Sequence, residues 1–205
     1  MIQAQIQSIP ASVTQLRSTI RQATSDEALI EWIATGDKLA MRALFARHRI
    51  RVFHFVLRIV RDHGLAEDVI SETFLDVWRQ ASRFEARSAV GTWILTIARN
   101  KAISVLRRRP SQERLDEAVE VEDPGEGPEV SVQKMNRGEV LRKCLAALSR
   151  DHREIIDLVY YHEQSTEAVA EIVGIPASTV KTRMLYARRH LAELLSAAGL
   201  DRALV

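Results

Sequence analysis

The sequence predicts an all-α chain: two small helical domains joined by a flexible acidic linker. Gly and Pro are scarce, with 8 and 5 copies among 205 residues, and such a composition favours helices. Apolar residues recur at helical spacing in two blocks, 26–109 and 135–197. Between them lies SQERLDEAVEVEDPGEGPEV, dominated by acids and broken by Pro124, Gly125, Gly127 and Pro128, so residues 110–134 read as an extended tether. Apolar residues make up 46% of the chain, enough for two small cores at this length.

Residues 1–25 read as a loosely ordered extension. Asp26 and Glu27 then open a first helix that Gly36 closes. A second helix, from about Asp37 to Arg61, carries Leu44, Val52, Phe53, Val56, Leu57 and Val60 among scattered arginines. A third, from about Leu65 to Ala81, repeats Ala66, Val69, Ile70, Phe74 and Val77. After the polar loop SRFEARSAVG, a fourth runs from about Thr92 to Arg109, and Pro110 stops it because its ring denies the helix an N–H. These four helices can share one core. The second block holds MNRGEVLRKCLAALS, RDHREIIDLVYYHE, TEAVAEIVG and GIPASTVKTRMLYARRHL.

The last two of these have helix-turn-helix chemistry. Ser165 or Thr166 can cap a short first helix, Gly174 can take the left-handed conformation that ends it, and Pro176 fixes the start of the next. In that next helix Val180, Met184, Ala187 and Leu191 converge on one side. Ser178, Thr182, Tyr186 and Arg189 lie opposite, flanked by Lys181, Arg183 and Arg188. Hydroxyls and cations on an outward face suit phosphates and guanine acceptors in a major groove. A solvated helix closing a bundle is the alternative for this stretch alone.

In TWILTIARNKAISVLRRR, Arg99, Lys101, Arg107, Arg108 and Arg109 meet no acid within the segment, while Ile94, Ile97, Ala98, Ala102 and Val105 form the buried stripe. Such a helix attracts a phosphate backbone, or else its terminal arginines only complement the macrodipole. Phe84 and Trp93 can hold unstacked bases, or belong to the core. On the third helix Asp68, Glu72, Leu75, Asp76 and Arg79 line up opposite the apolar stripe, as a solvated face or a docking face; periodicity does not choose.

Single Cys144 sits in an apolar stretch as a small buried hydrophobe, consistent with a reducing cytoplasm. The N-terminal stretch lacks the apolar run of a secretory signal, and no segment reaches the roughly 18 apolar residues of a membrane span. The expected location is cytoplasmic, without membrane insertion. Net charge is +2, yet the charges are segregated along the chain.

Together, AEDVISETFLDVW, TWILTIARNKAISVLRRR and GIPASTVKTRMLYAR resemble the sigma-70 family, more narrowly the extracytoplasmic-function (ECF, group IV) RNA polymerase sigma factors, which keep only regions 2 and 4. The resemblance spans about Asp26 to Leu195. It implies that region 2, a four-helix bundle at 26–109, docks on the beta-prime clamp helices of core RNA polymerase through Asp68, Glu72, Leu75, Asp76 and Trp78. It also implies that region 2 melts the minus-ten promoter element, with a base flipped into a pocket of the loop Phe84–Val90. Flipping costs a few kcal/mol of stacking, which contacts to the extruded base must offset. Phe84, Arg87, Ser88 and Trp93, with Arg99, Asn100, Lys101, Ser104, Arg107 and Arg108 on the basic helix, match the positions that contact this element.

Region 4, at 135–197, is implied to read the minus-thirty-five element while gripping the beta flap. Lys181, Thr182 and Tyr186 match base-facing positions; Ser178, Thr179, Arg183 and Arg189 match phosphate-facing ones. The acidic linker corresponds to a segment that threads toward the RNA exit path and mimics nucleic acid. A cognate anti-sigma factor is a further implied partner, and no cofactor is. Two positions depart from the family pattern: Ser104 stands where Asp is usual, and Tyr186 where a cation is commoner, so base preference does not carry over.

Two other classes compete. A free-standing helix-turn-helix regulator would bind a palindrome as a dimer, but that leaves the acidic stripe and the basic helix without a joint purpose. An enzyme is disfavoured, because His48, His54, His63, His152, His162 and His190 lack metal-ligand spacing and no GxSxG or Walker loop is present.

Overall fold

The computed structural model describes residues 24–108 and 132–199. The expected extension before Thr24, the helix stop at Pro110 and almost all of the acidic linker lie outside these residues.

Local capping chemistry sets the first four helices. The Ala28 N–H donates to Ser25 Oγ (3.3 Å) at the start of α1 (Asp26–Ala34), and Asp26 and Glu27 add negative charge to its first turn. Gly36, at φ +88°, lets the chain turn immediately. Asp37 Oδ1 accepts from the N–H groups of Leu39 (2.8 Å) and Ala40 (3.1 Å) to start α2 (Lys38–Val60). Asp62 Oδ1 accepts from Leu65 N–H at 2.9 Å, so α3 (His63–Gln80) begins two residues before its expected start. A 3₁₀ turn at Ala81–Arg83 leads into the loop ahead of α4 (Val90–Arg108), which also starts two residues early.

These helices bury Leu29, Ile33, Leu44, Val52, Phe55, Val69, Phe74, Val77, Ile94 and Ala98 in one core. Each large apolar side chain removed from water contributes about 1.5–3 kcal/mol, an upper value because unfolded chains already bury part of that surface. Phe55 was not singled out by periodicity, yet it is almost fully buried.

The second unit comprises α5 (Val132–Ala147), α6 (Arg150–Tyr160), α7 (Thr166–Val173) and α8 (Ala177–Ala197). Ser149 caps α6 by accepting from His152 N–H at 3.3 Å, and Ser165 caps α7 by accepting from Ala168 N–H at 3.1 Å. Gly174, at φ +74°, ends α7 and donates its N–H to Ala170 O at 2.9 Å. Arg153 reaches back to the carbonyls of Leu145 (3.1 Å), Ala146 (2.6 Å) and Leu148 (2.8 Å), satisfying the end of α5. Cys144 is buried, as its apolar surroundings predict.

The two units touch. α4 lies against α7, and Ile155, Leu158, Val169, Ile172 and Val180 join the core of the first unit. Polar contacts seal the same seam. Arg58 is ion-paired with Asp157, and Arg51 donates through Nε to His162 Nδ1 at 3.3 Å and through Nη2 to the His162 carbonyl. Phe55 meets the buried His162 ring edge-on, centroids 5.3 Å apart.

Candidate nucleic-acid interfaces

Two separate faces carry the candidate side chains. On α8, Val180 and Ala187 are buried and Met184 packs partly beneath them, which fixes the helix rotation. Ser178, Lys181, Thr182, Tyr186 and Arg189 are consequently exposed on the outside, as the spacing predicts. Thr182 donates its hydroxyl to Ser178 O at 3.0 Å, which orients it along the helix. Arg189 pairs with Glu193 at 3.1 Å, and Arg189 and His190 together hold the Glu193 carboxyl below the usual range. Thr179 is half-buried, and Arg183 is drawn to Asp151 at 2.9 Å. Leu185, missed by the sequence reading, is 66% exposed between Lys181 and Arg189. Its position next to Tyr186 and four residues after Lys181 was the available signal.

The second face is α4 with the loop before it. Phe84 and Trp93 stack at 4.9 Å with planes tilted by 42°, both half-buried against the first core. Exposed Arg87 pairs with Glu85 at 2.5 Å. Asn100, Arg107 and Arg108 are exposed and Ser104 is half-buried.

Arg99, in contrast, does not stand free. Its Nε donates to Glu154 Oε1 at 2.6 Å and its Nη2 to Glu154 Oε2 at 3.0 Å, with side chains only 18% and 7% exposed. Ser88 donates to Glu171 Oε1 at 2.7 Å, and Thr92 to Gln164 Oε1 at 2.9 Å. All three acceptors belong to the second unit, so no local pattern around α4 could have announced them.

Lys101 turns the other way, toward α3. Its ammonium lies 2.7 Å from Asp76 Oδ2 and 3.3 Å from Glu72 Oε2. Burial alone would pull that ammonium down, but the hydrogen bonds and charges of Asp76 and Glu72 raise it above its ordinary value. The candidate docking strip therefore borders the basic helix. Asp68, Glu72 and Leu75 are exposed along α3, with Leu75 at 46%. Asp76 is half-buried, and Trp78 turns part of its ring into the core.

Comparison with known proteins fits this pairing of units. The family description "Sigma-70 region 2" matches residues 44–111, and "Sigma-70, region 4" matches residues 138–191. The chain is 30% identical over 176 residues to the ECF RNA polymerase sigma factor SigL of Mycobacterium tuberculosis, spanning 85% of this chain and 99% of that protein. It is 29% identical over 173 residues to SigK of Mycobacterium bovis, across 82% and 92% of the two chains. Among solved structures it resembles the sigma factor RpoE of Bartonella quintana, crystallised with the anti-sigma factor NepR. That likeness has a TM-score of 0.60 at 29% identity and covers 74% of this chain and 94% of that one. CnrH in complex with the cytosolic domain of CnrY shares the fold, with a TM-score of 0.62 at 22% identity over 85% and 99% of the chains. With both regions present in order and a 30% identical relative spanned almost end to end, this chain belongs to the sigma-70 family as an ECF RNA polymerase sigma factor, a non-catalytic subunit that directs RNA polymerase to promoters.

Proposed function

We propose that the two units divide promoter recognition between them. The unit at 26–109 docks on the beta-prime clamp helices through Asp68, Glu72, Leu75, Asp76 and Trp78. It opens the minus-ten element with Phe84, Arg87, Ser88, Trp93, Arg99, Asn100, Lys101, Ser104, Arg107 and Arg108. The unit at 135–197 reads the minus-thirty-five element, with Lys181, Thr182 and Tyr186 toward base edges and Ser178, Thr179, Arg183 and Arg189 toward phosphates, while gripping the beta flap. The observation that carries this reading is the exposed α8 face on which Lys181, Thr182 and Tyr186 stand together, with no described carboxylate bound to Lys181.

Cytoplasmic location and control by an anti-sigma factor belong to the same proposal. One relative, RpoE of Bartonella quintana, was crystallised with the anti-sigma factor NepR. Among the described residues no helix is long and apolar enough to cross a membrane. Reconstitution with core polymerase tests the reading: promoter-specific open complexes are expected. A chain that gives core polymerase no new start sites, yet binds a palindrome tightly by itself, would instead be a free-standing regulator.

A further inference from the structure

A cavity of about 170 Å³ opens between α2 and α6, and none of its lining residues is assigned above to DNA or to core polymerase. Arg58 and Arg61 line it from the first unit, Arg150 and Arg153 from the second. The two carboxylates in its wall are already spent: Asp157 holds Arg58, and Glu154 holds Arg99 at 2.6 and 3.0 Å. Arg61, Arg150 and Arg153 meet no described carboxylate, yet the cluster is kept together. The Arg58 guanidinium lies 4.1 Å over the Tyr161 ring, and that of Arg153 is fixed by the carbonyls of Leu145, Ala146 and Leu148. Arg61 ends α2 at φ +55°, a left-handed conformation that Gly or Asn takes at lower cost. Arg150 is the first residue of α6, where the helix dipole opposes a cation. Burial, and after it the charge of Arg61, pull the Arg153 guanidinium below its ordinary value. Left empty, the cavity sets cations against one another; an anion relieves all of these costs together.

We propose that this cavity is a binding site for a compact phosphorylated anion, a diphosphate group held by arginines of both units at once. A planar guanidinium meets two phosphate oxygens at a time, and a pair of arginines on each of two walls suits two linked phosphoryl groups. Enclosing a drug-sized ligand takes roughly 300–1,000 Å³. At about 170 Å³ the cavity admits the diphosphate end of a nucleotide, or free diphosphate, but no sugar or base with it. Only the packed chain offers all four arginines, so the bound anion stabilises that packing.

The test titrates the full chain with sodium diphosphate in an isothermal calorimeter, at physiological ionic strength and without divalent metal. One-to-one binding is expected, and it should raise the midpoint of thermal unfolding, because the anion binds the folded chain. Arg61→Ala combined with Arg150→Ala removes two exposed side chains and leaves both cores intact. Each lost charge-assisted contact should weaken binding about tenfold, and the pair about a hundredfold. Arg42→Ala combined with Arg49→Ala removes the same charge from exposed positions of α2 outside the cavity, and the affinity should stay as it is. Adenosine diphosphate distinguishes the two sources: tighter binding than diphosphate identifies a nucleotide, equal or weaker binding the free ion. If neither anion binds the wild type saturably, or if the two double variants weaken binding equally, the site is refuted. A single-stranded DNA of mixed sequence that depends on Arg61 and Arg150 while diphosphate goes unbound would also overturn it, and would make the cavity a nucleic-acid groove.

Discussion

Replacing Lys181 by Ala separates base reading from general attraction to DNA. Lys181 is exposed on α8 and pairs with no described carboxylate, so its loss should change fold stability by no more than about 0.5 kcal/mol. A contact from its ammonium to a base edge is worth about 1–3 kcal/mol of discrimination, or roughly 5- to 150-fold. Arg183 provides the contrast. It is held by Asp151 at 2.9 Å on a partly exposed flank, where it suits a phosphate. Arg183→Ala should weaken all sequences evenly and reduce the salt slope by about 1. The assay is holoenzyme binding to duplexes in which each base pair of the upstream element is substituted in turn. Lys181→Ala should flatten the preference at one position and leave the others intact. An even weakening across the panel, or an unchanged preference in a folded variant, refutes the assignment.

Leu75→Asp should lower affinity for core polymerase at least about tenfold in native gels, as expected for an apolar anchor at an interface. Because Leu75 is 46% exposed, its thermal unfolding should hardly move. Gly174→Ala tests the turn between α7 and α8. A Cβ there meets nothing within 4 Å, so the cost is the left-handed backbone alone, about 1–2 kcal/mol by urea unfolding, with Gly174→Asn costing less. Asp26 tests the N-terminal anchor. Its partial burial raises the carboxyl, but His48 and Arg47 overcome this and hold it below the usual range. A depressed folded value means this stabilisation is complete above the unfolded value of about 3.9 and is lost as pH falls through the folded one. Denaturation midpoints measured across that acid range should fall less steeply for Asp26→Asn than for wild type.

Much of the architecture was legible because it is local. Ser165 and Gly174 bracket α7, Gly36 closes α1, and the Val180–Ala187 side of α8 is buried as its spacing requires. The apolar repeats set the starts of α3 and α4 two residues too late, since Asp62 caps ahead of the first repeat and Val90 packs into the core from the first turn of α4. What the sequence hid is the partnership of charges. Arg99 has no acid within its segment, yet it meets Glu154, 55 residues away, and Arg51 meets His162 across 111. Helical periodicity tells which face of a helix is apolar; it does not tell which carboxylate of another helix will arrive there.

The choice between a DNA-reading α8 and a merely solvated one turns on how its N-terminus is finished. α1, α6 and α7 each open on a serine cap with an acid in the first turn, while α2 and α3 open on capping aspartates. Those groups satisfy free N–H donors and offset the positive end of the helix dipole. α8 opens instead on Pro176, with no side-chain cap and no acid in its first turn, and Lys181 and Arg183 follow within the second. Its first acid is Glu193, and there the ordinary solvated pattern returns as the Arg189–Glu193 pair. A helix that only closed a bundle would gain by carrying that pattern through its first turns as well. The uncapped N–H donors together with Lys181, which no described carboxylate answers, make an end that an external polyanion would complete.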